Sequence, residues 1–316
     1  MGAAKKSKSS SPLGMRLRSV FSWLFGPGRT ALVLVLLAGL FGGGAWLAWL
    51  KLKDRILADY RIGAAQVEIT PQPPWIPTSN IRAEVFGNPT LDGPLSIMDD
   101  DLAERIGNAF ARHPWVEKVL QVTKQYGSVK VDLVYRRPVC MVAVPDGYQP
   151  VDAYGVLLPM VDFSHVEVTN YPVLVRAENE KRGPTMPPGS RWEDPNVIGG
   201  AEIAAALGDV WEPMRFYYIE PSAADPTVAD ESGGNGQTTP GSFAGRLPEP
   251  FFTLVTHNKT RILWGHAPGA NALGEPSTAE KVAWLKGRLA DNDTLDGPQG
   301  APQVWDIHKS PPVVRP

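Results

Sequence analysis

Between Met98 and Cys140 the chain spells one ordered unit: a short helix, a proline stop, two strands and a second proline stop. Asp99, Asp100 and Asp101 put acids where a helix begins, as the macrodipole favours. Leu102, Ile106, Ala109 and Phe110 then recur with helical spacing and predict one apolar stripe. His113-Pro114 ends the helix, because the residue before a proline is pushed out of the α region. Trp115 to Lys124 reads as a strand with Val116, Leu120 and Val122 on one face, and Gln125 to Ser128 as the turn. Val129, Val131, Leu133 and Tyr135 alternate with Lys130, Asp132, Val134 and Arg136, the period of a half-buried strand. Arg136-Arg137-Pro138 closes the unit.

A second segment limits where the chain can live. Thr30 to Leu50 is uncharged, mostly apolar and about as long as a helix that spans a hydrocarbon core. Lys5, Lys6, Lys8, Arg16, Arg18 and Arg29 precede it with no acid among them, whereas Lys51, Lys53 and Arg55 are soon offset by Asp54 and Asp59. The positive-inside rule then predicts a cytoplasmic N-terminus and exported C-terminal regions. A cleaved signal peptide is the rival reading; the apolar run is long for one and no small-x-small cleavage site follows it. Gly39 and Gly43 form a small-xxx-small pair, a candidate helix-packing face in the membrane. Leu13, Leu17, Phe21 and Leu24 suit either a short interfacial helix or an irregular basic tail.

At 316 residues the chain has room for about two domains beside this segment. A formal net charge of −2 and no strongly basic region argue against nucleic-acid binding. The single cysteine, Cys140, has no internal partner and sits in an apolar run, as a buried small hydrophobe would.

Lys51 to Arg61 reads as a helical continuation or stalk, Gln66 to Ile69 as a first strand, and Ser79 as the cap of a short helix through Phe86. Beyond Pro138 the pattern is β-rich. Gln149 to Asp152 and Gly155 to Leu157 flank a tight hairpin, and Tyr171 to Val175 and Met214 to Ile219 read as strands around a helix from Val197 to Leu207. Pro221 to Pro250 is poor in aromatics and rich in Gly, Ser, Thr, Pro and Asp, the composition of a flexible insertion. Two strands follow, Phe251 to Thr256 and Thr260 to Gly265. An amphipathic helix from Ala279 to Leu289 and a final strand from Val304 to His308 complete the chain.

No P-loop, H-E-x-x-H, G-x-S-x-G elbow or paired cysteine is present. The five histidines (His113, His165, His257, His266 and His308) show no ligand-like pairing, so neither a metal nor a cofactor is expected. Binding is left as the expected work. The stretch Val304 to Val314 is the best candidate for an open sheet edge, with Pro311-Pro312 stopping the ladder and Val313-Val314 as an apolar tail. The plain alternative is a strand that only closes the core, followed by a disordered tail.

Pro114-Trp115-Val116 and the run Arg136, Pro138, Val139 resemble two phrases of the FtsQ/DivIB family of bacterial cell-division proteins. In those proteins the phrases end a POTRA domain and lead into a β domain. Tyr135 stands where that family usually has an acid, and Cys140 where it has alanine. Val151-Asp152 with Gly155, Tyr171 to Val175, Ile262 to Gly265, Glu280-Lys281 with Leu285, and Trp305-Asp306-Ile307 extend the resemblance over most of residues 62–310. His308 replaces a common arginine, and the insertion at 221–250 departs from the family pattern. The resemblance implies an α+β fold: a transmembrane helix, a POTRA domain of order β-α-α-β-β, then a β-rich domain with few helices. The expected parts are a basic cytoplasmic tail (1–29), the membrane helix (30–50), a linker (51–61), the POTRA domain (62–137) and the β domain (138–316).

It also implies a non-enzymatic, single-pass inner-membrane scaffold at the division septum that helps control septal peptidoglycan synthesis and takes no small-molecule substrate. FtsB-like and FtsL-like proteins would be its partners, held through Trp305, Ile307, Lys309 and Val313. A POTRA-bearing module of secretion or envelope assembly is the alternative, and an anchored envelope hydrolase a lesser one.

Overall fold

The computed structural model describes residues 28–91, 93, 95–164, 168–176, 183–222, 249–270, 272, 274–291 and 294–315. The basic tail up to residue 27, His165 and nearly all of the expected insertion, residues 223–248, lie outside them. Two compact units emerge, one running to Arg61 and including Ser96–Met98, the other made of Ile62–Leu95 and Asp99–Pro316.

In the first unit a continuous helix, α1 (Gly28–Asp59), contains Leu32–Lys53, a stretch long and apolar enough to cross a membrane. At about 1.5 Å per residue those 22 residues reach roughly 33 Å, the scale of a hydrocarbon core. The helix continues past Leu50, as expected of a stalk. Gly39 and Gly43 lie one turn apart on it, and a Cβ at either would meet nothing within 4 Å.

The second unit is a mixed α/β body built on two sheets. Its first part, beginning with and interrupted by two short strands that straddle the division between the units, runs β1 (Arg61–Ile62), β2 (Val67–Ile69), helix α2 (Ile81–Gly87), β3 (Leu95–Ser96), helix α3 (Leu102–Ala111), β4 (Val116–Gln125) and β5 (Ser128–Tyr135). β2 pairs in parallel with β5, which pairs antiparallel with β4; β1 and β3 make a separate two-stranded sheet. The predicted stripe of α3 is buried at Leu102, Ile106, Ala109 and Phe110. Val129, Val131 and Leu133 of β5 are buried as the alternation requires.

Two local expectations fail here. Leu120 was expected beside Val116 and Val122, but it is 59% exposed. Register shifts between Val116 and Lys118 and between Val119 and Gln121 break the period of two. The cap of α2 is Asn80, whose side chain accepts from Ala83 N at 3.1 Å, and not Ser79.

The larger sheet has eight strands. Added in chain order are β6 (Pro138–Val144), β7 (Gly147–Asp152), β8 (Val173–Leu174), helix α4 (Pro195–Trp211), β9 (Phe216–Ser222), β10 (Phe251–Thr256), β11 (Arg261–His266), helix α5 (Thr278–Ala290), β12 (Val304–Asp306) and β13 (Val313–Arg315). Across the sheet the order is β13-β12-β11-β10-β9-β8-β6-β7. The tight hairpin of the sequence reading survives as a single bridge, Val151↔Leu157, with Asp152 Oδ1 accepting from Tyr154 N and Val156 N at 2.9 Å.

Helix α4 starts at Asp194, which caps Asn196 N at 2.9 Å, with Pro195 in the first turn where its missing N–H is harmless. Its Gly199 and Gly200 face the sheet so closely that a Cβ would lie 2.6 Å from Phe252 Cζ and from Leu174 Cδ1 respectively. That small-residue face lets Val197, Ala201, Ala204 and Leu207 join one core with Cys140, Val142, Leu174, Ile219, Leu254 and Trp264.

The three-stranded and eight-stranded parts belong to one compact unit. Asp162, 3% exposed in a 3₁₀ turn (Met160–Asp162), joins them. Its Oδ1 accepts from Thr78 N at 3.1 Å and Ser79 N at 2.7 Å. Its Oδ2 accepts from Ser79 Oγ at 2.6 Å and from the Trp115 indole at 2.8 Å. Arg136 adds an ion pair to Asp152 at 2.7 Å, and its carbonyl accepts from Trp75 Nε1 at 3.0 Å.

Candidate functional site

The end of the large sheet gathers β11, β12, β13 and α5. β12 runs parallel to β11, with Ile262 opposite Trp305, and β13 returns antiparallel, with Trp305 opposite Val314 and Asp306 opposite Val313. Sequence reading made Val313-Val314 a tail beyond a proline stop; the structure makes them part of a strand. The chain reverses between β12 and β13, and Pro311 and Pro312 fall in that reversal, where a missing N–H costs no ladder bond. The β-branched valines then suit the ladder that follows. The open edge is therefore β13, and β12 lies one strand inside it.

The four expected partner-binding residues separate accordingly. Trp305 is 9% exposed: its indole donates to Leu295 O at 2.7 Å, Trp284 lies 5.4 Å away, and the Arg288 guanidinium sits 4.4 Å from its ring centre. Ile307 is 1% exposed, and its N donates to Leu263 O at 3.2 Å. Lys309 is exposed in the reversal, outside the ladder. Val313, 51% exposed, stands on the edge strand itself. So Trp305 and Ile307 anchor β12 to the core, while Lys309 and Val313 face outward.

Two polar groups missed by sequence reading hold this corner. Asp306 is 2% exposed; its Oδ2 accepts from Arg315 Nη2 at 2.6 Å and Nε at 3.1 Å. His308 Nδ1 lies 2.5 Å from the other oxygen, Oδ1. The second group is Lys281 on α5, 3% exposed, whose Nζ donates to Trp264 O at 2.7 Å and to Glu275 and sits 4.9 Å from the Trp264 ring centre. Burial lowers the ammonium's pKa, and Glu275 partly opposes that shift. Glu275 also accepts from His266 N and lies against His266 Nδ1, both at 2.9 Å.

The carboxylate can approach this closely because residue 265 is glycine at φ +93°. A Cβ there would overlap Glu275 Oε1 and lie 2.8 Å from His308 Cβ. A capping box starts α5, with Ser277 Oγ accepting from Glu280 N at 3.3 Å and Glu280 Oε2 from Ser277 N at 2.7 Å. The Ser277 hydroxyl, donating to Oε2 at 2.8 Å, and after it the Ser277 N–H hold the Glu280 carboxyl below its usual range. In sequence, Gly265, Glu280-Lys281 and Asp306 stand out only as parts of the family phrases, and His308 as a departure from one.

The Lys281 amine is committed to Trp264 O and Glu275. The cleft beside it, about 400 Å³, is lined by His266, Glu275, Thr278 and Lys281 among others. Two other sheet edges are blunted: β7 contains Pro150, and β4 has two register shifts and the charged Glu117, Lys118 and Lys124. β13 ends the large sheet with two exposed valines and presents its outer backbone groups. No protein-family model matches the chain, and no curated protein matches its sequence.

Proposed function

We propose that the chain is a bitopic scaffold of the FtsQ/DivIB type, anchored in the inner membrane by α1. On this reading residues 62–137 are a POTRA domain and residues 138–316 its β domain. The observation that carries the proposal is the end of the eight-stranded sheet: β12 is fixed in the core by Trp305 and Ile307, and the strand beyond it is short and outward-facing. Such an edge accepts an extended partner segment, with main-chain bonds giving affinity and flanking side chains giving selectivity. The order β2-α2-β3-α3-β4-β5, which keeps the β-α-α-β-β succession but adds a two-residue strand between the helices, and the helix Leu32–Lys53 support this reading.

FtsB-like and FtsL-like proteins are the partners in this reading, and control of septal peptidoglycan synthesis is its outcome, without catalysis by the chain itself. A fluorescent protein fused to the N-terminus tests it. Recruitment to midcell before constriction is the expected result; an even distribution around the envelope throughout the cell cycle would reject it.

A further inference from the structure

We infer that β13 is a resident strand that a partner's extended segment replaces, and that this segment carries an arginine where Arg315 now sits. The inference rests on reading the sheet end as a partner site. Three observations support replacement over addition outside β13. The strand has three residues and pairs with β12 at three positions only. Val313 and Val314 are 51% and 40% exposed, so little apolar surface holds it down. β12 beneath it is secured independently by Trp305 and Ile307, and stays in place when β13 opens. A short edge strand with few buried contacts belongs to the low-stability end of a fold.

The side chain that fastens β13 also defines what can take its place. Arg315 directs two N–H groups to Asp306 Oδ2, and Asp306 is buried on β12. A strand that took the place of β13 without bringing a cation would bury that carboxylate again with its Oδ2 unpaired, a costly state. His308 lies beyond β12 and not on β13, so it keeps its place at Oδ1 and leaves Oδ2 for the newcomer. An incoming strand that pairs with β12 but brings no cation is therefore rejected. Arginine fits better than lysine, because its planar group presents Nε–H and Nη–H together. The resident strand shows the rest of the pattern: antiparallel to β12, with two β-branched residues before the arginine.

The probe is a labelled peptide of residues 310–316, titrated onto the full chain in detergent and onto a chain ending at Pro312. The shortened chain should bind it at least about tenfold more tightly than the full chain does, and an R315A peptide should lose that gain. Equal binding to both chains, no binding to either, or undiminished binding of the R315A peptide would overturn the inference. If the shortened chain does not fold, the full chain carrying R315A takes its place; it must then bind the wild-type peptide more tightly than the unaltered chain, or the inference falls. The assay needs no division protein. Peptide binding without midcell recruitment would reject the scaffold reading alone, and recruitment without peptide binding would reject the resident strand alone.

Discussion

Asp162 receives four hydrogen bonds from residues 47 to 84 positions away in sequence, and nothing in its neighbourhood, Met160-Val161-Asp162-Phe163, announces that role. Buried carboxylates persist when donors surround them, so removing this one strands the Trp115 indole and two backbone N–H groups. Asp162→Ala should cost about 3 kcal/mol in thermal or urea unfolding of the detergent-held chain, within the range for breaking a buried charged network. A loss within error of zero would show that the junction is held elsewhere.

Cys140 is a contrasting case, readable from its apolar run and buried in the core as expected. Burial, with Asp152 nearby, pushes its thiol from 9.0 up to about 12. The thiolate is the reactive species, so alkylating reagents at pH 8 should leave the folded protein unmodified and label it only after denaturation. The unfolded thiol ionises first as pH rises. This group's contribution to stability is therefore full below 9.0 and falls between 9.0 and about 12. Rapid labelling of the native protein at pH 8 would contradict the burial.

Elements were legible where a single period or cap decides them. α3 and β5 follow directly from spacing, β10 from a short apolar run, and α5 from its apolar stripe. What stayed hidden depends on partners distant in sequence or on broken periods. Two bulges turn Leu120 outward on β4, Asn80 takes the cap because Ser79 is spent on Asp162, and β13 exists because the prolines fall in a reversal. Of the candidate site, the location at the C-terminal edge was legible and the rank of the strands was not, since a three-residue strand carries almost no period. The sheet also constrains the segment between β9 and β10. Ser222 and Phe251 are ladder partners, so the two ends of the connection between β9 and β10 lie side by side. Replacing residues 223–248 with a short glycine-rich turn should shift the thermal midpoint by no more than about 3 °C, because loop length enters closure entropy only logarithmically. A much larger drop would mean that the segment supplies contacts the sheet needs.

At the scale of the whole molecule, each part has a separable task in the proposed account. The helix Leu32–Lys53 supplies the anchor, the Asp162 junction fixes one sheet against the other, and the sheet end carries the partner site. The central claim is that a division partner meets the chain at that end. A photo-crosslinking residue at Lys309, exposed beside β12, tests it most directly in living cells, with Tyr126 in the β4–β5 turn, fully exposed, as the comparison position. The account predicts an adduct between Lys309 and a small single-pass coiled-coil division protein, and none from Tyr126. An adduct from Tyr126 with none from Lys309 would contradict it and place the partner on the three-stranded sheet.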